Sequence, residues 1–317
     1  MIETKIKNME EKKYTHYSVL LNEAVDALEP DGSSEIFIDA TMGGAGHSEL
    51  MAKRISKNGR LICFDVDADA IKEGRRKLSK YKNVTVIHDS YANLKYHLEK
   101  LGIEKITGGI LFDLGASMHQ FQTAERGFSF MKDAPLDMRF DMSAELMATD
   151  IINNYREDEL VKIFSEYGEE RFSKRIAKAV IANRPIYTTL QLVDIIKKST
   201  PKINSKIHCA TRVFQALRIE VNKELLNFEN TLNEVVTLLH VGAIISVISF
   251  HSLEDRIAKQ VLKSFSNSCR CPRSMPVCEC EGKMLELVNK KPIEASASEI
   301  AENPASRSAK LRIARRI

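Results

Sequence analysis

Residues 36–65 read IFIDATMGGAGHSELMAKRISKNGRLICFD, and this stretch decides the fold class. The apolar run Ile36, Phe37, Ile38 stops at Asp39; Thr41 and Met42 then lead into a small-residue loop, Gly43, Gly44, Ala45, Gly46, His47. That is a buried strand running into a tight turn. From Ser48 the apolar positions Leu50, Met51 and Ile55 keep a helical spacing that ends at Gly59. A second apolar run, Leu61 to Phe64, closes on Asp65. Strand, glycine loop, helix and acid-tipped strand form a nucleotide-type βαβ unit.

The residue types narrow the ligand. Glycines let backbone approach a ligand closely, and the helix behind them offers N–H groups to anionic atoms. Asp65, at the tip of the second strand, can accept both hydroxyls of a ribose. Counting G-x-G-x-x-G from Gly44 gives Gly44, Gly46 and then Glu49, so the third glycine of a dinucleotide loop is missing. Asp39 also stands just ahead of the loop, where its charge would repel a pyrophosphate but attract an ammonium or sulfonium. No Gly-Lys-Ser or Gly-Lys-Thr follows. The pattern favours S-adenosylmethionine over NAD or ATP.

Outward from this unit the alternation continues. Ala68 to Leu78 reads as a helix, Val84 to Ile87 as a strand ending near His88 and Asp89, Leu94 to Leu101 as a helix, and Ile110 to Phe112 as a strand ending at Asp113. In a parallel sheet the four acids Asp39, Asp65, Asp89 and Asp113 would line one carboxyl edge, where open α/β folds bind ligands. Upstream, His16, read as a surface or capping histidine, precedes a helical pattern from Val19 to Leu28. After Asp113 the rhythm changes: Leu114 to Ser117 form a loop, Glu125 to Asp141 is irregular, and Ala144 to Phe228 is helical in period. A strand returns at Ala243 to Phe250, followed by a helix to Phe265, and Leu285 to Val288 and Leu311 to Ala314 read as edge strands. The expected fold is α/β with an inserted all-helical domain: core over 1–120, helical insertion over 121–235, core again over 236–317.

At 317 residues the chain can bury a sizeable core, and 44% hydrophobic with 28% charged residues is ordinary for a globular protein. Neither an 18-residue apolar run nor a signal peptide is present, so a cytoplasmic protein without a membrane is expected. Net charge is only +4, so affinity for nucleic acid must come from local patches. One such patch is Arg171, Lys174, Arg175 and Lys178, at helical spacing with no acid between Arg171 and Arg184. Phosphate contact is the reading, a solvated face the alternative. The last 13 residues carry Arg307, Lys310, Arg312, Arg315 and Arg316 without an acid, a second candidate. Cys269, Cys271, Cys278 and Cys280 could hold Zn²⁺ tetrahedrally, although common zinc spacing places two or more residues between paired cysteines; free thiols or a stress-induced disulfide are the alternatives.

Eight stretches together resemble one family, the RsmH (MraW) 16S ribosomal RNA cytidine N4-methyltransferases: HYSVLLNE from His16, DATMGGAGHS from Asp39, ERGFSF from Glu125, PLDMR from Pro135, YGEERFSKRIA from Tyr167, TRVFQALRIEVN from Thr211, SFHSLEDR from Ser249 and NPASRSA from Asn303. The resemblance spans His16 to Ile317. It implies a class I (Rossmann-like) methyltransferase sheet, S-adenosylmethionine as donor, and methylation of a decoding-region cytidine in 16S ribosomal RNA or the small subunit. A methyltransferase for protein or small molecules, or a silent RNA-binding assembly protein, are the rival expectations, and a homodimer is a further one. The resemblance also assigns cofactor contacts to Ala45, Gly46, His47, Asp65, Tyr91, Asp113 and Gln120. After Asp113 the family usually reads D-L-G-V-S-S-P-Q, whereas Ala116, Met118 and His119 stand here.

The chemistry then suggests roles. A cytosine N4 is a poor nucleophile because its lone pair is delocalised into the ring, so an acceptor must hold its hydrogens and take a proton. Asp113 is the first candidate with Ser117 beside it; Asp137 and His251 are second, with an Arg139 ion pair and a helix-capping turn as their alternative roles.

Overall fold

The apolar runs become the strands of one eight-stranded sheet: β1 (Ile36–Asp39), β2 (Arg60–Asp65), β3 (Val84–His88), β4 (Gly109–Asp113), β5 (Ile244–Ser249), β6 (Leu285–Leu287), β7 (Ile293–Glu294) and β8 (Lys310–Arg316). The computed structural model describes residues 18–201, 207–268 and 282–317. Strands β3-β2-β1-β4-β5 are parallel, and β8 joins β5 antiparallel, with β6 and β7 pairing along its other side. This is the doubly wound order of a class I methyltransferase sheet, and its connections diverge between β1 and β4. One expectation is corrected here: Leu311 to Ala314 is not an edge strand but lies between β5 and β6. Its apolar residues are buried on both faces, as an interior strand requires.

Helices α1 (Leu21–Asp26), α2 (Gly46–Arg54) and α3 (Ala68–Leu78) cover one face of the sheet, burying Val25, Met51 and Ile71 against Phe37, Leu61 and Leu111. The opposite face packs under α4 (Leu94–Lys100), α11 (Glu224–Leu238) and α12 (Ser252–Ser266), through Leu98, Phe228, Val235 and Leu262 against Ile62, Phe112 and Val247. Between β4 and α11 run α5 (Met118–Gln122), α6 (Ala148–Asn154), α7 (Glu157–Glu166), α8 (Ser173–Ala182), α9 (Thr189–Ser199) and α10 (Thr211–Asn222). Helices α6 to α10 and the loop before them bury a hydrophobic cluster of their own, which contains Leu136, Ile151, Phe164, Ile176, Leu192 and Leu217. α13 (Ala297–Glu302) leads into β8.

The packing places α11 with the sheet: Phe228 and Val235 belong to the sheet's cluster, whereas Val221 and the residues before it on α10 belong to the helical one. Periodicity reports that a helix has an apolar face but not what that face meets. Among the described residues no helix is long and apolar enough to cross a membrane.

Candidate active site

The acids of the carboxyl edge do not all stand level. Asp39 pairs in register with Cys63 on β2 and Leu111 on β4, so Asp65 and Asp113 reach two residues further on either side of it. Two residues return a side chain to the same face of a strand. The Thr41 hydroxyl accepts from the Asp113 N–H at 2.6 Å and ties the loop after β1 to β4. Asp89 lies one residue past β3, and its oxygens take the Ser90 N–H, the Asn93 amide and the His97 ring at 2.7–3.0 Å.

Over this edge opens a cleft of about 1030 Å³, lined by Gly43, Asp65, Asp89, Tyr91, Asp113, Ser117 and Gln120 from the sheet edge and its loops and by Phe140, Arg218, Asn222 and Glu224 from the helical segment and α11. Its size and mix of apolar and polar walls suit a nucleoside-sized ligand. Asp65 is aimed by two backbone donors, Gly43 N–H at 2.7 Å and Asp67 N–H at 2.9 Å, leaving lone pairs for a diol. Tyr91 stands edge-on to Phe112, with ring centroids 5.7 Å apart, and borders the cleft where a flat base could lie. Gln120 caps α5 reciprocally with Ser117 and donates to Asp67 at 2.7 Å.

Burial dominates the electrostatics. Desolvation pushes Asp39 and Asp65 each up to about 6, against hydrogen bonds that pull the other way. Asp113 is driven well above the usual carboxylate range by burial first and then by the charges of Asp39 and Glu254. Its Oδ1 is buried without a hydrogen-bond partner, while Oδ2 lies 3.5 Å from His47 Nδ1. The His47 Nε2 faces the Val19 carbonyl at 3.1 Å, so it carries the hydrogen of that bond. Such a concentration of carboxylates beside a glycine loop fits a cationic ligand that also carries a ribose, and does not fit a pyrophosphate.

Similarity to known proteins agrees. Residues 13–317 match the family described as MraW methylase. The chain belongs to the MraW methylase family. It is an S-adenosylmethionine-dependent methyltransferase. The methylase is 47% identical to "Ribosomal RNA small subunit methyltransferase H" of Clostridioides difficile (strain 630), over 96% of this chain and 100% of the relative. It is also 47% identical to the protein of that name from Geobacter sp. (strain M21), over 96% and 99% of the two chains. Among solved structures, an rRNA methylase from Streptococcus thermophilus aligns with a TM-score of 0.41 at 13% identity, covering 96% of this chain and 99% of that one.

The methylase does not bring every candidate residue to the cleft. Gly44, Ala45 and His47 are buried beneath it, and a Cβ on Gly46 would lie 1.9 Å from the Ser18 hydroxyl. The loop therefore presents Gly43 to the cleft while its later residues pack under Ser18 and Val19. Asp137 is held by Arg139 through two bonds of 2.7 and 2.8 Å and does not border the cleft. His251 caps α12, its ring 3.0 Å from Glu254. For both, the alternative role read from sequence is the one observed. Arg171, Lys174, Arg175 and Lys178 are all exposed, with Arg171 just before α8 and the rest on it, while Ile176 and Val180 face inward.

The basic C-terminal run is partly engaged within the protein, while Arg307 is exposed. Lys310 and Arg312 pair with Asp255, Arg315 with Glu29, and Arg316 bonds the Met284 and Ile317 carbonyls. The partners are remote in sequence, which is why a local acid count missed them. His16 and the four cysteines 269, 271, 278 and 280 lie outside the described residues, and among the described residues no cluster could hold a metal ion. Residues overlooked by the sequence reading are Asp67 and Arg126, a buried ion pair at 2.9 Å, and Arg218 with Glu224 at 2.9 Å. A lone arginine inside the apolar period of α10 was the available signal for Arg218.

Proposed function

We propose that the methylase acts on the N4 amino group of a cytidine in the decoding region of small-subunit ribosomal RNA. The observation carrying this reading is Asp113: a carboxylate at the tip of β4, bordering the cleft, with a raised proton affinity and one oxygen lacking a partner. A carboxylate with raised proton affinity can hold an amine hydrogen and take the proton that an aromatic amine releases on methylation. The names of the C. difficile and Geobacter relatives support a small-subunit RNA substrate.

S-Adenosylmethionine, when bound, supplies an electrophilic methyl group on a sulfonium that leaves as a neutral thioether. Asp65 would hold its ribose, Tyr91 and the Asp89–Ser90 turn its base, and Asp39 with Asp113 would offset its positive charge. Asp113 accepts one N4 hydrogen of the target, localises the nitrogen lone pair and takes the proton released on transfer. Ser117, fixed by its capping bonds with Gln120, borders the same cleft and offers a second polar contact. Most of the rate then comes from alignment of the two ligands in the cleft. The exposed Lys174, Arg175 and Lys178 face of α8, with Arg171, supplies phosphate contacts outside the cleft.

The test is tritium transfer from labelled S-adenosylmethionine to undermethylated small subunits followed by nucleoside analysis. Label in N4-methylcytidine is expected. Label in protein, or in another base, would overturn the reading, as would RNA binding without any transfer.

A further inference from the structure

The corner between α10 and α11 sets an ion pair in the wall of the cleft that Asp113 also borders. Arg218 is the single cation between Val213 and Val221, and its Nε donates to Glu224 Oε1 at 2.9 Å. The two side chains are only 13% and 10% exposed, and what is exposed faces the cleft. Only that one hydrogen bond joins them. Both Nη groups of Arg218 and the Oε2 of Glu224 make no hydrogen bond among the described residues. The single bond leaves the two-nitrogen face of the guanidinium, the geometry that pairs bidentately with a planar acceptor, without a partner.

The corner is built rigidly. Lys223 turns the chain in the left-handed region at φ 50°, and the Asn222 amide donates to the Met138 and Arg218 carbonyls at 2.8 and 2.9 Å while accepting from Phe140 N–H at 2.7 Å. Glu254, the other buried acid nearby, has its oxygens taken by the Phe250 and His251 N–H groups and the His251 ring. Arg218 and Glu224 thus set unused donors beside an unused acceptor on the cleft wall.

We propose that Arg218 and Glu224 read the Watson–Crick edge of the target base. Cytosine presents an N4 donor followed by the N3 and O2 acceptors, whereas uracil presents an acceptor, a donor and an acceptor. The Nη groups of Arg218 match N3 and O2, and Glu224 Oε2 accepts one N4 hydrogen. The second N4 hydrogen is left for Asp113. Uracil would set its O4 against the Glu224 carboxylate and its N3–H against the guanidinium, leaving buried groups unpaired. The pair therefore selects an amino-bearing pyrimidine before transfer. This inference rests on the cytidine N4 reading above.

The experiment uses the full chain and undermethylated small subunits, with CMP and UMP as competitors of tritium transfer. CMP is expected to inhibit the wild-type protein at least about tenfold better than UMP. R218K, which keeps the charge but loses the planar fork, and E224Q should lose that difference and slow single-turnover transfer about tenfold or more. S-Adenosylmethionine affinity by calorimetry should stay within about twofold, which a collapsed corner would not allow. Equal inhibition of the wild type by CMP and UMP, or wild-type transfer rates in both variants, overturns the proposal. Should the wild type label a base other than cytidine, the N4 reading itself fails; label in cytidine with unaffected variants leaves that reading standing and removes only the role of the pair.

Discussion

Asp113 has one buried oxygen without a partner, whereas Asp65 and Asp89 in the same cleft accept from backbone N–H groups and Asp39 beneath it accepts from Ser48 at 2.5 Å. An amide in its place keeps the shape but cannot take a proton. Asp113→Asn is expected to retain S-adenosylmethionine binding by calorimetry and to lose at least about a hundredfold in methyl transfer; normal turnover would exclude the acceptor role. Asp39 and Asp65 give a second test. Burial raises each from 3.8 to about 6, so between those values the folded protein holds protons that the unfolded chain has released. Native stability from these groups therefore falls as pH rises through that window. Ligand binding runs the other way, because a cation and a diol favour the ionised carboxylates. Affinity for S-adenosylmethionine should weaken several-fold between about pH 7.5 and 5.5, with proton release detectable by calorimetry in buffers of different ionisation enthalpy. A flat profile would detach these acids from the ligand.

Single elements connect the sheet to the helical cluster. Arg126, just after α5, pairs with Asp67 at the start of α3 and donates to the Arg139 and Phe140 carbonyls at 2.9 and 3.0 Å. Gly127 follows in the left-handed region, where a Cβ would meet the Pro135 carbonyl at 2.3 Å. Glu169, before α8, takes the Ser252 hydroxyl and Arg256 of α12 at 2.8 and 3.0 Å. The motifs ERGFSF, PLDMR, YGEERF and SFHSLEDR are thus halves of contacts. Arg126→Ala leaves Asp67 buried beside only Gln120 and the Asp69 N–H, and a loss of about 3 kcal/mol is expected in urea unfolding. A change below about 0.5 kcal/mol would make the pair incidental. On α8, Lys174→Glu with Lys178→Glu should weaken small-subunit binding and reduce the salt slope by about one to two units. Unchanged binding would return those residues to a solvated face.

The whole molecule has a helical cluster with its own buried side chains, and the cleft lies where that cluster meets the sheet. Phe164 is fully buried there, away from the cleft, so Phe164→Ala should cost about 3–5 kcal/mol by denaturant unfolding without altering base selectivity in the surviving folded protein. The division into sheet and helices was legible in residues 36–113 because parallel strands buried on both faces read as short apolar runs that stop at acids. The affiliation of α11 was not legible, nor was the interior position of β8, since a period of 3.6 or 2 names an element and not its neighbour.

Local pattern by itself determined the βαβ unit, the strand-tip acids Asp65 and Asp113 and the charged face of α8, because each is written within about a dozen residues. Only the tertiary structure decided that the glycine loop packs under Ser18, that the C-terminal arginines find acids up to 286 positions away, and that Arg218 and Glu224 line the same cleft as Asp113. Burial and ion pairing depend on contacts between segments distant in sequence, and the chain acquires those contacts only when its layers close.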